Sequence, residues 1–189
     1  VIIFLTLSSL FHLVIATAGN RLYESDLARG MNRFRWVEYS FSASMMIVAV
    51  ALLTGIYDVA SLVMMFSLVA VMNLCGLVME IHNQTTKQTN WLSYWVGCLA
   101  GIIPWVVIAI YFAAASSFGA DEGQIPTFVY WIYVSIFAFF NCFAINMVLQ
   151  YKKIGPWKDY LFGEKMYIIL SLVAKSALAW QVFAGSLRP

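Results

Sequence analysis

Lys175 stands in the middle of the apolar stretch Met166–Leu187. An ammonium at that depth costs about 2.5–3.5 kcal/mol on insertion scales, and the lysine stem is too short to carry it from mid-span back to water. Three kinds of chemistry would justify the position. The lysine could belong to a structural ion pair or line a polar cavity; it could act unmodified as a buried base in a transporter or membrane enzyme; or it could attack an aldehyde and form a Schiff base, because a desolvated amine is a good nucleophile. A protonated Schiff base is still a cation and needs an anion. The candidate is Glu38, in the run RWVEYSFSASMM. Its plainer role is an interfacial carboxylate paired with Arg35, three residues earlier on a neighbouring face of the same helix. Ser42 follows Glu38 by four residues and Ser171 precedes Lys175 by four, so each hydroxyl sits one helical turn from a charged group and can donate to it or relay a proton. Ser8 and His12 repeat that spacing near the start of the chain, and a lone membrane histidine is more often a hydrogen-bonded packing residue than a proton carrier. His82 falls in a polar connection and reads as ordinary.

These residues must be positioned by helices in lipid. Of the 189 residues, 62% are hydrophobic and only 11% are charged, which excludes a soluble domain. Uncharged windows long enough to cross roughly 30 Å of hydrocarbon run over Val1–Asn20, Tyr39–Tyr57, Val59–Met79, Trp91–Ala120, Ile125–Tyr151 and Met166–Leu187, the last interrupted by Lys175 alone. They are continuously apolar rather than alternating, which predicts helices and not a transmembrane barrel. With the flanking turns, the predicted helices cover about 1–20, 35–57, 59–81, 91–115, 125–151 and 164–187 in one transmembrane domain. Asp58 leaves room only for a very tight turn between the second and third. The opening residues lack the basic region and cleavage site of a signal peptide, and the chain starts at Val1, from which a further helix upstream is expected.

Charge sets the expected orientation. Arg21, Arg29, Arg33, Arg35, Lys87, Lys152, Lys153, Lys158 and Lys165 fall in the connections after the first, third and fifth helices, whereas the opposite side holds Arg188 with Asp58, Asp121 and Glu122. The positive side is the cytoplasmic one, which puts the C-terminus outside the cell. A net charge of +2 with no dense basic run excludes nucleic acid as a partner and leaves membrane lipid. Cys75, Cys98 and Cys142 are odd in number, lie in apolar stretches and form no CxxC pair, so neither a disulfide framework nor a metal site is expected. Pro104 is placed to kink its helix, and the last three spans are dense in aromatics.

Taken together, LSLVAKSALAWQVFAG around Lys175, RWVEYSFSASMM around Glu38, NLCGLVME ending at Glu80, GIIPW and FNCFAINMVLQY resemble heliorhodopsin, the branch of the microbial rhodopsins with inverted topology. The resemblance runs over essentially the whole chain. It implies an all-α membrane protein, a microbial-rhodopsin-like seven-helix bundle of which six transmembrane helices are present, with all-trans-retinal as cofactor. Residue by residue, it implies that Lys175 is the attachment site and Glu38 the Schiff-base counterion. Ser8, Ser42 and Ser171 would tune the hydrogen bonds around that pair, with His12 in a polar cavity beside it and Tyr39, Met72, Phe137 and Phe140 against the polyene. It further implies a light receptor and not an enzyme, a homodimer, and a downstream signalling partner of unknown kind.

Pumping rhodopsins carry an acid, a threonine and a second acid at offsets of zero, four and eleven along the counterion helix. Here those positions are Glu38, Ser42 and Ala49, and the apolar windows of the fifth and sixth spans offer no acid for a relay. A slow signalling photocycle without ion pumping is therefore expected, ahead of a light-driven proton transporter or a transporter using a bare Lys175.

Overall fold

The computed structural model describes residues 1–117 and 125–187. Among them are seven α-helices, one 3-10 turn and no strand: α1 (Ile2–Ala16), α2 (Asn20–Ala28), α3 (Arg33–Leu53), α4 (Val59–Asn83), α5 (Leu92–Ser117), α6 (Thr127–Tyr151), the 3-10 turn (Gly155–Lys158) and α7 (Tyr160–Ser186). Helices α3 to α7 are each long and apolar enough to cross a membrane; α1 and α2 make a sixth span if counted as one bent element. The chain is a multi-pass membrane protein. Three residues used for its orientation, Asp121, Glu122 and Arg188, lie outside the described residues, as does the end of the window that runs to Ala120.

At its start the chain differs from one straight span. Helix α1 has 15 residues, about 22 Å at 1.5 Å per residue, and the following helix α2 turns from it by 84°. The α1 helix is closed by its own backbone, with Gly19 N–H donating to the Val14 carbonyl at 2.7 Å. The polar segment after Gly19 then forms its own short helix, in which wholly buried Asp26 receives two bonds from Arg33, at 2.8 and 2.7 Å.

The remaining helices begin and end where capping chemistry allows. Asn32 accepts the Arg35 N–H at 3.0 Å and starts α3; Asp58 takes both the N–H and the hydroxyl of Ser61 at 2.7 Å and starts α4; Asp159 takes the Leu161 N–H at 3.0 Å and starts α7. Helix α3 ends at Leu53 and the chain turns off at Gly55, whose φ of 86° suits glycine, while Ile56 N–H returns to the Ala51 carbonyl. That leaves Ile56–Asp58 to reverse the chain into α4. By the same charge-insensitive rules, α3, α4 and α7 extend past the uncharged windows and take in Arg35, Glu38, Glu80 and Glu164. All four are buried.

The chain falls into two compact units, Val1–Gln124 and Ile125–Pro189. In the first, α3 packs on both α1 and α4, and α4 on α5. Small residues permit the approach: a Cβ on Gly76 would run into the Trp36 indole, and one on Gly101 into the Met72 sulfur. In the second, α6 packs on α7, with the 3-10 turn closing one end.

Candidate functional site

Within the first unit, packing of α1 on α3 brings the Ser8 hydroxyl to the Glu38 carboxylate at 2.5 Å. A distance that short is typical of an O–H donor on a charged oxygen. Glu38 is 4% exposed, deep enough that its charge needs such donors. His12, one turn beyond Ser8, is exposed, and its Nδ1 lies 2.7 Å from the Ser8 carbonyl oxygen. The residue thus fixes the helix around Ser8 through the backbone.

Three serines on α3 are buried, and their bonding separates them. Ser40 donates to the Val37 carbonyl at 2.7 Å and Ser44 to that of Ser40 at 2.6 Å, so both are satisfied by their own helix. Ser42, fully buried one turn beyond Glu38, has no hydrogen-bond partner for its hydroxyl among the described residues. A buried polar group left so costs about 1–3 kcal/mol unless something else meets it. Tyr39 is buried beside this pair, and Met72 lies half-buried on α4 against Gly97 and Gly101 of α5.

Arg35 takes a partner that its spacing did not suggest. Its guanidinium forms an ion pair with Glu80 of α4, which also accepts the Asn32 N–H at 2.9 Å, and it lies 4.5 Å over the Trp36 ring. Both charged side chains are nearly sealed, 5% and 2% exposed. The carboxylate of Glu38 is thus served from α1 while the neighbouring cation is bound to α4.

Within the second unit, Lys175 is 6% exposed and Ser171, one turn earlier on α7, 7%. Phe137 and Phe140 are half-buried on α6, and Phe137 stacks on Tyr133 with ring centres 6.2 Å apart. Nearer the start of α7, Gln150 donates to the Glu164 carboxylate at 3.3 Å and to the Tyr160 carbonyl at 3.2 Å. Trp157 donates to Asn146 at 2.6 Å, and Asn146 to the Gly163 carbonyl at 3.2 Å.

The sequence profile of the heliorhodopsin family matches residues 1–187. The chain belongs to the heliorhodopsin family. No curated protein matches it. Heliorhodopsins are retinal-binding rhodopsins, and two observations on this member fit the group: a mid-helix lysine sealed from water, and the Ser42 hydroxyl, buried without a partner among the described residues one turn from a buried carboxylate. The expectation that the last two spans hold no acid needs correction. Glu164 lies inside α7 and is 4% exposed. The uncharged window starts at Met166, behind Lys165, and the predicted helix takes in Glu164 only as its first residue, whereas the helix is started by Asp159, five residues earlier. That aspartate, followed by an apolar-periodic run, was the signal in the sequence that could have found it. Glu80, quoted only as the end of a motif, was missed as the partner of Arg35 for lack of any local cue.

Proposed function

We propose that this heliorhodopsin is a light receptor holding all-trans-retinal on Lys175 as a protonated Schiff base, with Glu38 as the counterion. The observation that carries the reading is the burial of Lys175 in the middle of α7, in a chain whose family binds retinal. Bound retinal supplies absorption of visible light and a change of shape on isomerisation. The chain's own groups supply the rest. Ser8 orients the Glu38 carboxylate, and Ser42 has a hydroxyl to spend on the same anion or on the nitrogen it balances. Ser171 adds a third hydroxyl, one turn from Lys175. Tyr39, Met72, Phe137 and Phe140 are proposed to border the polyene, and His12 to tune the polar surroundings of Ser8.

The proposed photocycle is slow and signalling, without ion pumping, because α3 carries Ala49 where a pump's second acid would stand. The connections after α1, α4 and α6 are proposed to face the cytoplasm, since they carry the basic excess. A homodimer and a downstream signalling partner complete the reading. A light-driven proton transporter is the second reading, favoured by one observation, the buried Glu164 on the lysine helix.

Adding all-trans-retinal to the purified protein should give a visible band, and Lys175→Ala should give none. A normal band in that variant would refute the attachment site; no band in the unaltered chain would sink both rhodopsin readings and leave Lys175 as a bare base. Illuminated vesicles watched with a pH electrode separate receptor from transporter, since only the latter changes the bulk pH continuously.

A further inference from the structure

Four left-handed backbone positions occur among the described residues, and three of them are glycines: Gly30, Gly55 and Gly155, with φ of 71°, 86° and 55°. The fourth is Lys153, with φ of 52°. It stands where α6 ends. Its N–H donates to the Gln150 carbonyl and that of Ile154 to the Leu149 carbonyl, both at 3.2 Å. These are the paired bonds of a Schellman ending, whose left-handed residue is usually glycine. A Cβ crowds the neighbouring carbonyl oxygen in that conformation, so the lysine is kept against the preference of its own backbone. A side chain held in this way points to a function outside the turn.

The connection that follows is firmly held. Trp157 donates to Asn146 at 2.6 Å and meets the Phe162 ring edge-on, with centres 5.1 Å apart. Gln150 donates to the Tyr160 carbonyl at 3.2 Å, and Asp159 takes the Leu161 N–H at 3.0 Å. What this frame leaves outside is basic and apolar. Lys152, Lys153, Lys158 and Lys165 are exposed and make no ion pair among the described residues. Ile154 and Leu161 are 48% and 47% exposed. Asp159 is the only exposed acid between residues 150 and 165, since Glu164 is buried and hydrogen-bonded to Gln150.

Because α6 and α7 are both membrane spans, the eight residues between them sit at a membrane boundary. There a lysine stem carries its ammonium to the headgroups, while apolar side chains settle on the acyl region. Lys165, the sixth residue of α7, leans back toward the same level, as long helical side chains lean toward the N-terminus. Four cations beside a span attract anionic phospholipid, each charge near the surface strengthening the attraction about fivefold.

We propose that the α6–α7 connection binds the headgroups of anionic phospholipid in its own leaflet, with Lys153 as the residue the turn retains for this contact. Ile154 and Leu161 rest on the acyl chains beside it. Position favours lipid over a soluble acidic protein: the lysines lie at headgroup level, next to exposed apolar side chains that gain by leaving water. The binding does not depend on retinal.

Spin-labelled lipids test the proposal, with the full chain reconstituted in phosphatidylcholine bilayers. Labelled phosphatidylglycerol should be held at the protein surface in preference to labelled phosphatidylcholine, and high salt should weaken that preference. Lys153→Gln should lower it by up to about fivefold, whereas Lys87→Gln, at an exposed lysine on the connection after α4, should leave it unchanged. Lys153→Gly separates charge from backbone. It should lower the preference as far as Lys153→Gln does, yet raise resistance to unfolding in phosphatidylcholine, because glycine adopts the left-handed turn freely. The proposal is overturned if phosphatidylglycerol is not preferred, if Lys153→Gln keeps the wild-type preference, if Lys87→Gln lowers it equally, or if Lys153→Gly gains no stability. Binding of polyglutamate to the wild-type protein, without any preference for phosphatidylglycerol, would also overturn it and hand the surface to an acidic protein.

Discussion

The Arg35–Glu80 ion pair offers the sharpest stability test, because the structure says what each partner would lose. Both side chains are within 5% of full burial, and Glu80 also accepts the Asn32 N–H at the start of α3. Glu80→Met takes the ion-pair carboxylate from a buried guanidinium and an acceptor from the Asn32 N–H; Arg35→Met takes the cation from a buried carboxylate. Either change should cost about 3–5 kcal/mol. The double variant removes both charges, so its loss should fall short of the sum by on the order of 3 kcal/mol. Glu80→Gln separates the two duties of the carboxylate, since the amide oxygen can still take the Asn32 N–H while the charge is gone. It should therefore be milder than Glu80→Met by about 1–3 kcal/mol, the cost of an orphaned buried donor. Reversible unfolding of the retinal-free protein in mixed micelles, followed by far-ultraviolet circular dichroism against SDS fraction, gives all four values. Strictly additive single losses below about 1 kcal/mol would refute the reasoning, since they would mean that the pair is solvated.

Glu38→Gln should shift the visible band to longer wavelength, because an anion beside the nitrogen favours the ground state, in which the positive charge sits there; an unmoved band would assign the counterion elsewhere. Gly76→Ala places a methyl group into the Trp36 indole and should destabilise by about 1–3 kcal/mol in the same unfolding assay; an unchanged stability would show that the indole has room to move. The Asp58 carboxyl sits below the usual carboxylate range, chiefly because the Ser61 hydroxyl, and then its N–H, donate to the charged form. Its stabilisation of α4 is therefore present above about pH 4 and lost as pH falls through the lowered value. The stability gap between the wild type and Asp58→Ala should narrow on acidification across that window, and a gap independent of pH would show that the cap acts without its charge.

Hydropathy alone determined that this chain lives in lipid and found the five long spans, because a bilayer admits only segments that satisfy their own backbone and hide few charges. The same rule made Lys175 conspicuous, since a lone charge in a long apolar run needs no structure to be noticed. Partner choice was another matter. Arg35 and Glu38 are near neighbours on one helix, and nothing local names the distant partners that each of them takes. Only the packing of α3 on α1 and α4 delivers Ser8, 30 residues away, to Glu38 and Glu80, 45 residues away, to Arg35. Glu164 was placed only at the edge of the predicted last helix, behind Lys165. Window methods treat a charge as the end of a span, but a helix runs on from its cap, and a carboxylate in its first turns is tolerated once a neighbouring helix supplies a donor such as Gln150. Which charges lie inside is thus decided by hydrogen-bond partners that tertiary packing brings from distant sequence, and no reading of local polarity can replace it.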